Sequence, residues 1–264
     1  MSSWWDPGQY RRYADHRSRP AFDLLGHIDH PHPLQVVDLG CGTGDMARAM
    51  KDRWPQAQVA GVDHSIDMLA EAAGSGGAVD WMEADITTWS PGRPIDVLYS
   101  NAVLHWIPDH QTLFPRLVSW LAPGGILAVQ MPLSWAEPSH VLMREVLRTG
   151  GPTGRPIGTS GLWSQLARKW VAEPIEYHDL LAPLVSSFDM WTTRYFQVLA
   201  GPEPVFEWVK GTGLRPVLEA LDGPELDRFL NHYRERLVEV YPRRPDGTTL
   251  YPFPRLFIVA SVAP

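Results

Sequence analysis

VVDLGCGTGD, residues 36–45, joins an apolar run to an acidic residue and to three glycines at alternate positions. The segment LQVVDLG predicts a buried strand, and DMARAMKDRW follows it with helical spacing. In an open parallel sheet, ligands bind beyond the carboxyl ends of the strands. Glycine permits positive φ and removes the side chain that would hold a ligand away from the backbone. The stretch therefore predicts a ligand-binding loop directly after the first strand.

The spacing of the glycines excludes two common nucleotide-binding loops. The dinucleotide fingerprint is G-x-G-x-x-G, whereas this loop has G-x-G-x-G and places Asp45 where the last glycine would fall. The phosphate loop is also absent, because no G-K-[ST] follows. The loop therefore argues against an NAD-dependent dehydrogenase, which would show NAD binding in a direct titration.

Strands and helices alternate through residues 34–131. Further strands are predicted at QVAGVD, AVDWMEAD, PIDVLYSN and ILAVQM, with SIDMLAEAAG and HQTLFPRLVSWLA as helices and Ser65 as an N-cap. Near the end, FDMWTTRYF and FPRLFIVASV predict two strands that could form a hairpin extending the sheet. We expect an α/β fold: a Rossmann-like, seven-stranded, mostly parallel sheet with helices on both faces and a helical cap.

The 264 residues are expected to form one domain. Its core would be residues 34–131 plus strands near 188–197 and 254–262, and its cap residues 1–30, 132–187 and 202–250.

The composition predicts a cytoplasmic protein. The chain is 44% hydrophobic, contains no run of roughly 20 apolar residues and starts without a signal-peptide pattern. The lone cysteine, Cys41, fits a reducing compartment. The net charge of −7 and the lack of any Lys/Arg run argue against a nucleic-acid partner, and the lack of a long apolar run argues against a membrane. We expect a monomer or homodimer that acts on a small molecule.

Acidic residues end the first three predicted strands. Asp63 could accept two hydrogen bonds from a ribose diol, and Asp85 could accept one from an adenine amino group. The backbone N–H of Ile86 could bond a ring nitrogen. One acid at such a position is commonly a strand-end cap, but three beside a glycine loop, with Asp38 the first, suit a cationic nucleoside without phosphates.

Residues 34–131 resemble the class I S-adenosylmethionine-dependent methyltransferases, through DLGCGTG and the spacing of the two later acids. The resemblance implies S-adenosyl-L-methionine as cofactor. It implies cofactor contacts from Tyr10, Arg19, Asp38, Gly40, Gly42, Gly44, Asp63, His64, Met68, Asp85, Ile86 and Asn101.

Segments along nearly the whole chain resemble the trans-aconitate 2-methyltransferase family. They are WDPGQY, RSRP, SNAVLHWIPDH, LAVQMP, EPSHVLMREV, WTTRYF, EWVKGTGLRP and FPRLFIVA. The resemblance implies O-methylation of a carboxylate on trans-aconitate or a related small acid. Leu133-Ser134 departs from the Asp-Asn pair usual in that family. Two alternatives stay open: a natural-product methyltransferase with another acceptor, and a protein that binds the cofactor without transferring methyl.

A carboxylate acceptor is ionised at neutral pH, so the reaction requires orientation and no strong base. His105 follows the fourth strand and is the candidate catalytic residue. It could orient a substrate carboxylate or, if the nucleophile were a hydroxyl, accept its proton. Candidate substrate contacts are Trp5, Trp106, Lys210 and Arg255. No metal is expected, since the histidines of HIDHPH have no cysteine partner and are separated by prolines.

Overall fold

A computed structural model describes residues 14–264, with side chains described from residue 18 onward. The described residues form seven strands: β1 (Gln35–Leu39), β2 (Gln58–Asp63), β3 (Asp80–Glu83), β4 (Ile95–Asn101), β5 (Leu121–Pro132), β6 (Ser187–Ala200) and β7 (Thr248–Ser261). They also form ten α-helices: α1 (Ala14–Gly26), α2 (Asp45–Arg53), α3 (Ile66–Gly74), α4 (His110–Ser119), α5 (Pro138–Thr149), α6 (Ser160–Ala167), α7 (Pro174–Leu181), α8 (Pro204–Lys210), α9 (Arg215–Ala220) and α10 (Gly223–Val240). Short 3₁₀ turns cover Leu104–Trp106 and Gly151–Thr153.

The strands form one sheet in the order β3-β2-β1-β4-β5-β7-β6. Strands β3, β2, β1, β4 and β5 pair in parallel, and β7 pairs antiparallel with β5. This confirms the predicted seven-stranded, mostly parallel α/β fold and the adjacent final strands. The strand order reverses between β1 and β4. Such a reversal opens a crevice at the carboxyl ends of β1 and β4.

A local signal in the sequence marks the start of α3. Ser65 caps α3 as predicted, since its side-chain oxygen accepts a hydrogen bond from the Met68 N–H at 3.4 Å. Asp67 lies in the first turn of the same helix, where a negative charge interacts favourably with the helix dipole.

The fifth strand begins earlier than the sequence indicated. The predicted strand ILAVQM starts at Ile126, after Pro123-Gly124-Gly125, whereas β5 begins at Leu121. The register passes from Ile95 opposite Leu121 to Val97 opposite Ile126, so the intervening residues form a bulge within the strand. Gly124 has φ 75°, a value that glycine adopts without strain.

The chain divides into two compact units. The sheet unit comprises residues 18–132, 170–193 and 255–264, and the helical unit comprises residues 133–169 and 194–254. The helical unit has its own apolar core, in which Trp208, Phe229, Tyr233 and Tyr251 are fully buried. The interpretation as one domain with a cap stays a prediction. In the described part, no helix is long and apolar enough to cross a membrane.

Candidate active site

The glycine loop at residues 40–44 is tied to the second strand and open on one side. Gly40 and Cys41 donate backbone hydrogen bonds to the Val62 carbonyl, at 2.7 and 3.1 Å. A Cβ added at Gly44 would lie 2.2 Å from the Trp81 ring, so the close packing there requires glycine. At Gly42, which has φ 53°, a Cβ would meet nothing within 4 Å. The backbone at Gly42 is therefore accessible to a ligand.

The Asp63 carboxylate holds the loop in place. It accepts hydrogen bonds from the Gly42 N–H at 2.8 Å and from the Ser65 N–H at 2.9 Å. An ionised carboxylate offers about four acceptor positions, more than these two N–H groups occupy. The ring of His64 is exposed, with Nδ1 3.4 Å from an Asp63 oxygen. The acid predicted as a ligand group therefore also organises the loop.

Asp38 is a buried carboxyl group beside the loop. Its side chain is only 2% exposed, and Oδ2 has no hydrogen-bond partner among residues 14–264. Burial raises the pKa of Asp38 to about 7, and the negative charge of Asp63 adds to the increase. A carboxyl group in this setting favours a nearby cation, because an opposite charge stabilises the ionised form.

Asp85 and Ile86 lie beyond the end of β3. Asp85 is exposed, and one oxygen accepts hydrogen bonds from the Thr87 N–H and hydroxyl, both at 2.7 Å. These bonds hold the pKa of Asp85 below its ordinary value. Ile86 is buried, and its carbonyl accepts a hydrogen bond from Arg116 at 2.7 Å. The acid is thus fixed in orientation, with its second oxygen available.

The end of β4 carries the candidate catalytic residue. Asn101 has a buried Oδ1 without a hydrogen-bond partner in the described part of the chain. His105 lies in the 3₁₀ turn Leu104–Trp106, with its ring centroid 4.6 Å from that of Trp106. The Trp106 side chain is half exposed. The turn therefore presents an aromatic surface and an imidazole after the fourth strand.

The structure brings together Asp38, residues 40–44 and Asp63, and it places the other predicted residues as follows. Met68 lies half-buried on α3, and Arg255 is buried on β7. Arg19 is exposed and pairs with Asp23 of its own helix at 3.9 Å. Lys210 is the exposed last residue of α8, in the helical unit. Trp5 and Tyr10 lie outside the described residues.

Two features of this region were missed by sequence reasoning. Gln130 on β5 is fully buried, and its Oε1 accepts a hydrogen bond from Arg255 at 3.2 Å. The signal was present, because Gln130 is the polar residue in the run ILAVQM. The second feature is a buried contact between His110 and Tyr177, whose polar atoms are 2.5 Å apart. Its members are 67 residues apart, so no local pattern predicted it.

The geometry fits a cationic nucleoside. The open backbone at Gly42 and the unsatisfied oxygen of Asp38 would accept such a ligand. Across the described residues, no group of three or more His, Cys, Asp or Glu side chains could hold a metal.

Comparisons with known proteins identify related chains over nearly the full length. A family profile described as "Methyltransferase domain" matches residues 36–125. Trans-aconitate 2-methyltransferase of Azoarcus sp. (strain BH72) is 46% identical over 257 residues, covering 97% of this chain and 98% of the relative. The enzyme of the same name from Klebsiella pneumoniae (strain 342) is 44% identical over 256 residues, covering 97% of each chain.

Solved structures agree on the fold. The YcgJ protein of Bacillus subtilis has a TM-score of 0.58 at 12% identity, covering 92% of this chain and 97% of its own. Haemonchus contortus phosphoethanolamine N-methyltransferase 2, solved with S-adenosylhomocysteine, has a TM-score of 0.54 at 15% identity and covers all of this chain and 61% of its own. At these identities the similarity concerns the fold alone.

Proposed function

Because this chain belongs to the trans-aconitate 2-methyltransferase family and is an S-adenosylmethionine-dependent methyltransferase, we propose that it methylates a carboxylate of trans-aconitate. The observation that carries the proposal is the 46% identity to a relative of that name over 97% of the chain. The similarity thus extends over residues of both units, well beyond the methyltransferase profile at residues 36–125.

In this proposal, the site residues would bind the cofactor as follows. When bound, S-adenosylmethionine supplies an electrophilic methyl group on a sulfonium. The Asp38 carboxylate would balance the positive charge, and Asp63 would accept hydrogen bonds from the ribose hydroxyls. Asp85 and the Ile86 N–H would bind the adenine edge. The proposal also includes cofactor contacts from Gly40, Gly42, Gly44, His64, Met68 and Asn101.

The acceptor carboxylate is ionised at neutral pH, so the protein must align it and exclude water. Alignment of this kind can contribute about 7–11 kcal/mol in favourable cases. His105 would orient the reacting carboxylate from the turn after β4, beside Trp106, and Arg255 would pair with another carboxylate. Roles for Arg19 and Lys210, and for Trp5 and Tyr10 outside the described residues, stay predictions from the sequence.

The test is an acceptor assay read by mass spectrometry. The purified protein is incubated with S-adenosylmethionine and trans-aconitate, cis-aconitate, isopropylmalate or a branched or aromatic acid. We expect a methyl ester on trans-aconitate and none with Asp63→Ala, which removes both the ribose acceptor and the support of the glycine loop.

The panel also distinguishes the alternatives. Leu133-Ser134 motivates a second candidate, a natural-product methyltransferase with another acceptor. A methyl ester on a different acid, with trans-aconitate unchanged, would contradict the proposed acceptor and favour that candidate. Cofactor binding without any product would indicate a protein that binds S-adenosylmethionine without transferring methyl. A cytoplasmic location and a monomeric or homodimeric state are further proposals, the second checked by light scattering.

A further inference from the structure

Gln130 is a fully buried polar residue whose amide nitrogen lacks a hydrogen bond. It lies between Val129 and Met131 in the apolar strand β5, and all three side chains are buried. Its Oε1 accepts a hydrogen bond from Arg255, which identifies Nε2 as the donor atom. Nε2 has no partner among the described residues. A buried donor without an acceptor destabilises the fold, so it indicates a water or ligand oxygen at that place.

Arg255 provides a charged donor next to this amide. Its side chain is 5% exposed, and Nη1 is 3.2 Å from the Gln130 oxygen. A guanidinium carries five N–H donors in a planar fork, and one on Nη1 is directed at Gln130. The Gln130 oxygen therefore orients the guanidinium, and the Gln130 Nε2 adds a neutral donor beside it. Two adjacent donors with one positive charge match the two oxygens of a carboxylate.

The strand register aligns this pair with the candidate cofactor residues. Asp38 on β1 lies opposite Tyr99 on β4, and Asn101 lies opposite Gln130 on β5. Residues directly opposite each other share a face of the sheet, as do residues two apart on one strand. By the β5–β7 register, Arg255 is on the face of Gln130. One face of the sheet therefore carries, in this order, Asp38, Asn101, Gln130 and Arg255. The carboxyl group of Asp38 and the guanidinium of Arg255 are at the two ends of the series.

We propose that Gln130 and Arg255 together bind a carboxylate of the acceptor other than the one that is methylated, which makes Gln130 a residue that selects polycarboxylates. The proposal rests on the proposed function and adds the subsite that recognises the acid. A carboxylate paired with a guanidinium gives up electron density to its donors, which makes it a poorer nucleophile. The reacting carboxylate is therefore a different one, nearer to the cofactor end of the face.

The experiment compares steady-state kinetics of the wild-type protein and Gln130→Leu on tricarboxylate, dicarboxylate and monocarboxylate acceptors. For trans-aconitate, we expect the substitution to raise KM about ten- to hundredfold, the usual consequence of losing a hydrogen bond to a charged group. The effect on kcat is expected to be smaller. The effect on the monocarboxylate is also expected to be smaller, because that acceptor has no second carboxylate to bind.

The matched control is Gln35→Leu, the same change at the first residue of β1, at the opposite end of that strand from the glycine loop. It should leave KM unchanged, and a titration with S-adenosylmethionine checks that each variant is folded. Equal KM values for Gln130→Leu and Gln35→Leu would overturn the proposal and leave Gln130 a structural residue that bonds an internal water. If Gln130→Leu does not fold, Gln130→Glu is used in its place. The new carboxylate would pair with Arg255 and compete with the acceptor, so KM should rise even further.

The experiment distinguishes an error in the carboxylate subsite at Gln130 from an error in the proposed function. If the wild-type protein methylates a polycarboxylate other than trans-aconitate, the proposed acceptor is wrong and the same comparison is made on the acid that reacts. If the wild-type protein methylates trans-aconitate and neither Gln130 variant changes KM, only the subsite is wrong. Absence of any carboxylate acceptor would overturn both.

Discussion

The Asp38 carboxyl group is close to half protonation at neutral pH. Burial disfavours its charged form, and the charges of Asp63 and Asp45 repel it further, so its pKa rises to about 7. A backbone hydrogen bond from Ala47, in the first turn of α2, opposes the increase only partly. A bound cation would lower this pKa again, because it stabilises the carboxylate. Cofactor binding should therefore be coupled to loss of a proton from Asp38.

We predict that affinity for S-adenosylmethionine rises between about pH 6 and 8, and that binding near pH 7 releases about half a proton. Isothermal titration in buffers of different ionisation enthalpy measures the proton. The stability of the ligand-free protein depends on pH in the opposite direction to cofactor affinity. The pKa of Asp38 in the folded protein exceeds the ordinary value of 3.8, so the contribution of Asp38 to stability is complete at low pH and is lost as the pH rises through 7.

The test variant is Asp38→Asn. The control variant is Asp80→Asn, which alters an exposed acid on β3. Asp38→Asn should bind more weakly and without proton release, whereas Asp80→Asn should behave as the wild type. Undiminished proton release in Asp38→Asn would assign the proton to another group.

Among the structural elements, α4, α7 and the turn Leu104–Trp106 are joined by a buried hydrogen-bond chain. His110 on α4 contacts the Leu104 carbonyl through Nε2 at 2.9 Å and the Tyr177 hydroxyl through Nδ1 at 2.5 Å. The Tyr177 oxygen in turn accepts a hydrogen bond from the Ala172 N–H at 3.2 Å. Burial lowers the pKa of His110, so the ring is neutral, donates from Nε2 and accepts at Nδ1. This chain fixes the turn that carries His105.

We predict that Tyr177→Phe lowers the free energy of unfolding by about 1–3 kcal/mol, because it leaves His110 Nδ1 and the Ala172 N–H without partners. It should also lower kcat, since the turn with His105 loses its support. Urea denaturation and steady-state kinetics measure the two effects.

Tyr233→Phe is the matched control for this substitution. It removes a buried hydroxyl that donates to the Ser139 carbonyl at 2.9 Å within the helical unit. It should lower stability by a similar amount and leave kcat nearly unchanged. Equal losses of kcat in both variants would mean that Tyr177 acts only through overall stability.

At the scale of the whole molecule, the fold followed from local patterns more completely than the site did. The glycine loop and the alternation of apolar runs with helices predicted the sheet, because each signal is contained within a few residues. The bulge at Pro123–Gly125 was not predicted, since it depends on pairing with β4. The acids at the strand ends could be predicted for the same reason as the strands, because each one follows an apolar run in the alternation of strands and helices.

Other parts of the site depend on contacts between distant segments. Gln130 and Arg255 are 125 positions apart, and only the antiparallel register of β5 and β7 brings them together. In the sequence, Gln130 resembles one more core residue of a buried strand. The sequence predicts Lys210 and Arg255 as substrate contacts because both are positively charged. In the structure they belong to different compact units.

We propose that one face of the sheet binds the cofactor near Asp38 and the acceptor near Arg255. A crystal structure with S-adenosylhomocysteine and trans-aconitate tests it most directly. We predict that the nucleoside contacts Asp63 and Asp85 and that one acceptor carboxylate contacts Gln130 and Arg255. Trans-aconitate bound away from Gln130 and Arg255, with the nucleoside in the predicted place, would contradict the account.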